Sequence, residues 1–246
     1  MKYNILTIFP NLIEEFSKTG IVHKSLTKKI VDMNIINLRN FTSDPNRTID
    51  DKVYGGGPGM VLKYEPIKDS LNSIEDPGYI IYLSPQGNVL TQSKLKALSL
   101  NKNITFICGR YEGVDQRVLD SLIDEEISIG DYVISGGENA CMVIIEGITR
   151  LLKGVVDDYQ SILEDSFQNG ILDHPHYTRP DSIDGMDIPD VLNSGDHKMI
   201  EIWRRKHALG ATWLKRPDLL KNVKLSEEDD KLLKEYIEEC KKNEHK

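Results

Sequence analysis

The chain has 246 residues, 39% of them hydrophobic, and a formal charge of −8 from 31 basic and 39 acidic side chains. This length and apolar content build a core without staples and exclude a disordered chain, and the acidic balance argues against indiscriminate polyanion binding. Three widely spaced cysteines, Cys108, Cys141 and Cys240, exclude a disulfide framework and any CxxC zinc or redox pair.

The N-terminus meets Pro10 and two acids too early for a secretory signal, and no apolar run reaches the ~20 residues of a membrane span, so a cytoplasmic protein is expected. Residues 3–9 (YNILTIF) predict a buried strand, 21–31 a helix and 35–38 a short strand. The glycines and proline of YGGGPGM (54–60) exclude a helix or central strand and demand left-handed or extended backbone. Such a loop is either a surface turn or a place where backbone approaches a flat or phosphorylated ligand closely. Residues 79–83 (YIIYL) and 104–108 (ITFIC) predict strands, with a helix between them N-capped by Thr91. A helix over 113–123, a strand over 126–129 and a long apolar helix over 137–152 follow. Strands alternating with helices predict an α/β fold with a parallel sheet.

Residues 155–189 lack periodicity and predict a long loop, of the kind that is functional or a linker. Helices are predicted over 196–209 and 226–240, the second opened by a capping box of Ser226 and Asp229. The charge is polarised there. Residues 197–224 hold eight Lys/Arg against two acids, whereas 225–246 hold five Lys against eight acids. The basic stretch is either a solvated helix face or a phosphate-binding surface.

GxGxxG, GxxxxGK[ST], HExxH and GxSxG are all absent. His174 and His176 bracket Pro175 without an evident third ligand, so no metal site is expected. Three loops follow predicted strands: YLSPQG (82–87), ICGRYEGVD (107–115) and IGDYVISGGE (129–138). Ligands bind at the carboxyl ends of parallel strands, so these loops are expected to converge on one crevice. Arg150 and Asp165 bracket the entrance to the long loop. A carboxylate placed over a bound base accepts a proton, and a neighbouring arginine keeps it ionised.

In order, LTIFP, FTSDPNRTIDDKVYGGGPGM, YLSPQG, CGRYEGVD, GDYVISGGE, EDSF, HYTRP and WRRKHALGATWLKRPDLL cover nearly the whole chain. Together they resemble the bacterial tRNA (guanine-N1)-methyltransferases, the TrmD family of the SPOUT superfamily. The resemblance implies a parallel α/β domain with a deep trefoil knot, followed by a small C-terminal helical domain. It implies boundaries of 1–158 for the knotted methyltransferase domain, 159–175 for a linker and 176–246 for a tRNA-binding domain. It implies an S-adenosylmethionine pocket built from Tyr82, Leu83, Ser84, Pro85 and Gln86, and from Gly109, Tyr111, Glu112 and Gly113. Ile129, Gly130, Asp131, Tyr132, Val133 and Ile134 complete it, with Gly136 and Gly137.

The reaction so implied is methylation of N1 of guanosine 37, beside the anticodon, with Asp165 as general base and Arg150 stabilising or orienting. Asp50, Gly55 and Gly59 would contact the target base, and Lys215 and Arg216 the tRNA backbone. The family is a homodimer with its active sites shared between subunits, and the resemblance implies assistance by Mg2+, although no ligand cage for it is visible in the sequence. Some positions depart from the family pattern: LLKGVVDD after Arg150 where IPGVLG is usual, and Ala211 where arginine is usual. Two other readings stay in view, a SPOUT enzyme acting on another RNA and a non-catalytic RNA-binding dimer.

Overall fold

Continuous burial from Tyr3 to Thr7 along Lys2–Thr7 (β1) sets the frame of the fold, a strand covered on both faces: Tyr3 and Ile5 face one side of a sheet, Leu6 the other. The structure, a computed structural model, describes residues 1–157 and 159–244. The chain divides into two compact units, Met1–Tyr159 and Gln160–Lys246.

In the first unit, β1 is followed by α1 (Pro10–Ser17), α2 (Gly20–Thr27), β2 (Asp32–Asn37), β3 (Asp50–Lys52), β4 (Met60–Leu62) and α3 (Tyr64–Asn72). Then come β5 (Tyr79–Val89), α4 (Gln92–Leu98), β6 (Asn103–Cys108), α5 (Gln116–Ser121), β7 (Glu125–Ser128) and α6 (Gly137–Leu151). The sheet order is β2-β1-β6-β5-β7, every pairing parallel, as the alternation predicted. Ile81, Leu83, Phe106 and Cys108 pack with Val22, Leu95 and Ile144 from α2, α4 and α6 on one face. Tyr82 and Ile107 pack with Ile67 and Val118 from α3 and α5 on the other. A buried polar ladder helps fix the register: Asn34 Nδ2 donates to Asn4 Oδ1 at 3.1 Å, and Asn4 Nδ2 to Thr105 Oγ1 at 3.2 Å.

Several boundaries differ from the sequence reading. Helices α1 and α3 were not anticipated; each is short and buries a narrow face, Ile13 in one and Pro66, Ile67, Ser70 and Leu71 in the other. The helix expected over 21–31 stops at Thr27, where the chain turns through Lys29 at φ 57°. The helix expected over 113–123 starts at Gln116, because Asp115 caps it by accepting from the Arg117 amide at 3.0 Å. Strand β5 runs past residue 83: it pairs Leu83 with Ile127, loops out, then pairs Asn88 with Ile127 again. Thr91 caps α4 as expected, accepting from the Lys94 amide at 3.2 Å.

The second unit starts within α7 (Tyr159–Glu164) and holds a hairpin of β8 (Ser182–Ile183) and β9 (Met186–Asp187), α8 (His197–Lys215), α9 (Pro217–Leu220) and α10 (Glu227–Glu244). The expected loop over 155–189 thus contains α7 and the hairpin, whose Asp184-Gly185 turn has φ 53° and 77°, as a two-residue hairpin turn requires. Ile171, Leu209 and Leu232 form its core. The capping box stands as predicted: the Asp229 amide donates to Ser226 Oγ at 3.0 Å and the Ser226 amide to Asp229 Oδ2 at 3.2 Å.

Candidate active site

The three strand-end loops converge. Tyr82–Gln86, Gly109–Val114, Ser128–Gly130 and Tyr132–Gly137 line one cleft of about 270 Å³ at the carboxyl edge of the sheet. The first loop leaves the sheet where β5 skips pairing with β7. The second follows β6 and carries Tyr111 at φ 60°, an uncommon conformation for a bulky residue and a local strain. The third ends where α6 begins, and the Gly137 amide donates to the Gly109 carbonyl at 2.9 Å. A Cβ on Gly137 would stand 2.9 Å from the Cys108 Cα, so only glycine lets the helix start this close to the strand end.

Every residue expected in the cofactor pocket lines this cleft except Asp131, which lies exposed in the third loop. Burial, with Glu126 adding to it, pushes the Tyr82 phenol up to about 12, so it stays protonated at working pH. Tyr111 and Glu112 are exposed, as are Tyr132, Val133 and Ile134, with Val133 87% exposed. A cleft lined by glycines, apolar side chains and Glu112 fits a ligand that joins a flat base to a cationic centre.

The glycine-rich loop is tied to this cleft. Gly55, Gly56, Gly57 and Gly59 all adopt positive φ, as that loop's composition required. The Glu112 amide donates to the Met60 carbonyl at 2.9 Å and the Leu62 amide to the Gly113 carbonyl at 3.0 Å. Gly59 abuts the Glu112 side chain and so stands beside the cleft, whereas Asp50 pairs with Leu62 across β3 and β4, one strand removed from the loop that lines it. Gly55 lies at the exposed loop tip, with open space where a Cβ would sit.

Other expected site residues lie elsewhere. Arg150 occupies the last turn of α6, separated from Gly137 by thirteen residues of helix, roughly 20 Å at 1.5 Å per residue. The first unit therefore does not bring it to its own cleft. Asp165 belongs to the second unit, half-buried just after α7, where it lines a cavity of about 260 Å³ with His174, Arg204 and Arg205. Lys215 ends α8, and Arg216 holds Asp218 with two hydrogen bonds of 2.9 and 2.7 Å.

Sequence reasoning missed Arg110 and Glu138, which bind each other at the cleft, although both fall inside motifs it singled out. It also missed Asp173. Among the described residues, Asp173, His174 and His176 are the one group of three His, Cys, Asp or Glu side chains close enough to share an ion. Two imidazoles do not match the all-oxygen preference of magnesium.

A family model described as tRNA (Guanine-1)-methyltransferase TrmD matches residues 1–222. A protein of Vibrio cholerae named tRNA (guanine-N(1)-)-methyltransferase is 45% identical over 245 residues, covering 98% of this chain and 99% of its own length. Relatives of the same name from Aliivibrio fischeri and Vibrio atlanticus are 44% and 46% identical, over 99% and 97% of this chain and 99% of each relative. The chain belongs to the TrmD family of tRNA (guanine-1)-methyltransferases.

Proposed function

We propose that this protein methylates N1 of guanosine 37 of tRNA, using S-adenosylmethionine bound in the cleft of the first unit. The observation that carries this reading is the junction of two loops. The glycine-rich loop, suited to close approach of a flat base, is hydrogen-bonded to the loop that carries Glu112 into the cleft.

N1 of guanine carries a proton, and its lone pair becomes available only when that proton leaves. Asp165 takes it as general base. The resulting negative charge spreads to O6, where the Arg150 guanidinium stabilises it. What S-adenosylmethionine supplies when bound is an electrophilic methyl on a sulfonium sulfur, and the Glu112 carboxylate complements that positive charge. The backbone of the three loops holds the donor in place, and Asp50, Gly55 and Gly59 hold the extruded base in line with it. Lys215 and Arg216 contribute the electrostatic grip on the tRNA backbone.

Residues 1–158 form the knotted catalytic domain, 159–175 the linker and 176–246 the tRNA-binding domain. The protein acts as a homodimer. Exposed Tyr132, Val133 and Ile134 at the cleft give a partner apolar surface to cover, and Arg150, at the far end of α6, reaches a reacting base only in the other subunit's site. Among the described residues no helix is long and apolar enough to cross a membrane, which is compatible with cytoplasmic work on tRNA.

The test is methyl transfer to a tRNA transcript with guanosine at positions 36 and 37, beside a transcript with adenosine at 37. The product nucleoside is identified by mass spectrometry. 1-Methylguanosine from the first transcript alone is the expected result; cofactor binding without methylation of either would move the activity to another RNA.

A further inference from the structure

The segment Asp173-His174-Pro175-His176 gathers three potential ligands, and the methyl-transfer reading uses none of them. We propose that Asp173, His174 and His176 form a binding site for a divalent transition-metal ion of the zinc class. Their nearest donor atoms all lie within 4.8 Å of one another. His176 Nε2 lies 2.9 Å from Asp173 Oδ2 and His174 Nε2 lies 3.8 Å from Asp173 Oδ1. Both rings thus turn the same nitrogen toward one carboxylate. Ligand atoms at the usual ~2.0–2.2 Å from zinc sit roughly 3.3 Å apart in a tetrahedron, between those two separations. The widest gap closes by rotating His176, whose side chain is 68% exposed.

The surroundings orient these ligands as metal sites require. His174 Nδ1 lies 3.1 Å from the Pro175 carbonyl. That bond puts the proton on Nδ1 and leaves the Nε2 lone pair for an ion, the outer-shell arrangement usual for metal-bound histidine. The His174 amide donates to Asp173 Oδ1 at 2.7 Å, and the Asp173 amide to Ser166 Oγ at 2.9 Å, which hold the carboxylate in place. Trp203 packs edge-on to His174, with ring centres 6.2 Å apart, and limits its rotation. Two imidazoles and one carboxylate select zinc, nickel or cobalt over magnesium and calcium. Three protein ligands leave a fourth position to solvent.

The test uses the full chain without a histidine tag, stripped of metal. Zinc chloride is titrated by calorimetry and cobalt(II) by visible absorption, for the parent protein, His176→Ala and the exposed-surface control His23→Ala. One equivalent should bind, with the intense visible band of tetrahedral cobalt and no competition from excess magnesium. His176→Ala should weaken binding about tenfold or more and flatten the band, while His23→Ala leaves both unchanged. Failure of the parent protein to take up a stoichiometric ion overturns the proposal. So does equal affinity in His176→Ala, which reduces the segment to a hydrogen-bonded turn.

Discussion

Arg110 donates from Nε to Oε2 of Glu138 at 2.8 Å, and that carboxylate is wholly buried. Its other oxygen accepts from Thr7 Oγ1 at 2.7 Å, while Arg110 Nη1 donates to the Ser135 carbonyl at 3.2 Å and its guanidinium lies 4.5 Å from the Phe9 ring centre. The end of β1, the loop after β6 and the first turn of α6 are thereby locked together at the cleft. The N-terminal end of α6 also favours the negative charge. Removing one member of a buried pair strands the other, so Glu138→Ala should cost about 3 kcal/mol or more and weaken cofactor binding. Urea denaturation and a cofactor titration measure the two effects; unchanged stability would make the pair incidental.

Gly59 has φ +91°, and a Cβ there would overlap the Glu112 side chain. Gly59→Ala should therefore add roughly 1–3 kcal/mol of backbone strain and displace the carboxylate from the cleft. Gly56→Ala carries similar strain at φ +79° but meets open space. Comparing kcat/KM and Tm for the two variants separates the effects. If Gly59→Ala loses no more turnover than Gly56→Ala, the packing against Glu112 does not matter for the reaction.

Asparagine matches aspartate in shape but takes no proton. Asp165→Asn should keep cofactor affinity and lose roughly 10²- to 10⁴-fold in the chemical step. Single-turnover methylation and a thermal shift with cofactor give the two readouts. Equal loss in both would assign Asp165 a structural role.

The chelation of Asp218 by Arg216 tempers what that arginine offers a phosphate. Lys215→Ala should reduce the slope of log affinity against log salt by about one, and Arg216→Ala by less, because Asp218 already neutralises much of its charge. Filter binding of tRNA across a salt series tests this. Unchanged slopes would return the basic stretch to a solvated helix face.

Asp229 accepts from Arg205 at 2.7 and 3.0 Å and from the Ser226 amide, and the Arg205 bonds, with that amide helping, hold its carboxyl down at about 2. A carboxyl lowered by folding contributes stability above its unfolded value near 3.8, and that contribution is lost as pH falls toward 2. Asp229→Ala should cost about 1–3 kcal/mol at neutral pH through the lost cap and pair. The difference in Tm from the parent should shrink between pH 4 and pH 2; a constant gap would mean that the carboxylate charge is not what stabilises α10.

The sequence by itself determined what local periodicity and end chemistry encode. Buried apolar runs gave the strands of a parallel sheet, Thr91 and the Ser226–Asp229 pair marked helix starts, and glycines after the strands marked the cleft. The tertiary structure alone decided which segments meet. Arg110 and Glu138 are 28 residues apart, Met60 and Glu112 belong to different loops, and the excursion of β5 exists only because β7 pairs with it twice. None of these leaves a periodic trace in the chain, since each depends on long-range packing that brings distant backbone within hydrogen-bond reach. Even Asp173, a neighbour of His174 in sequence, became a third ligand candidate only once the turn at Pro175 folded both histidines back on its carboxylate.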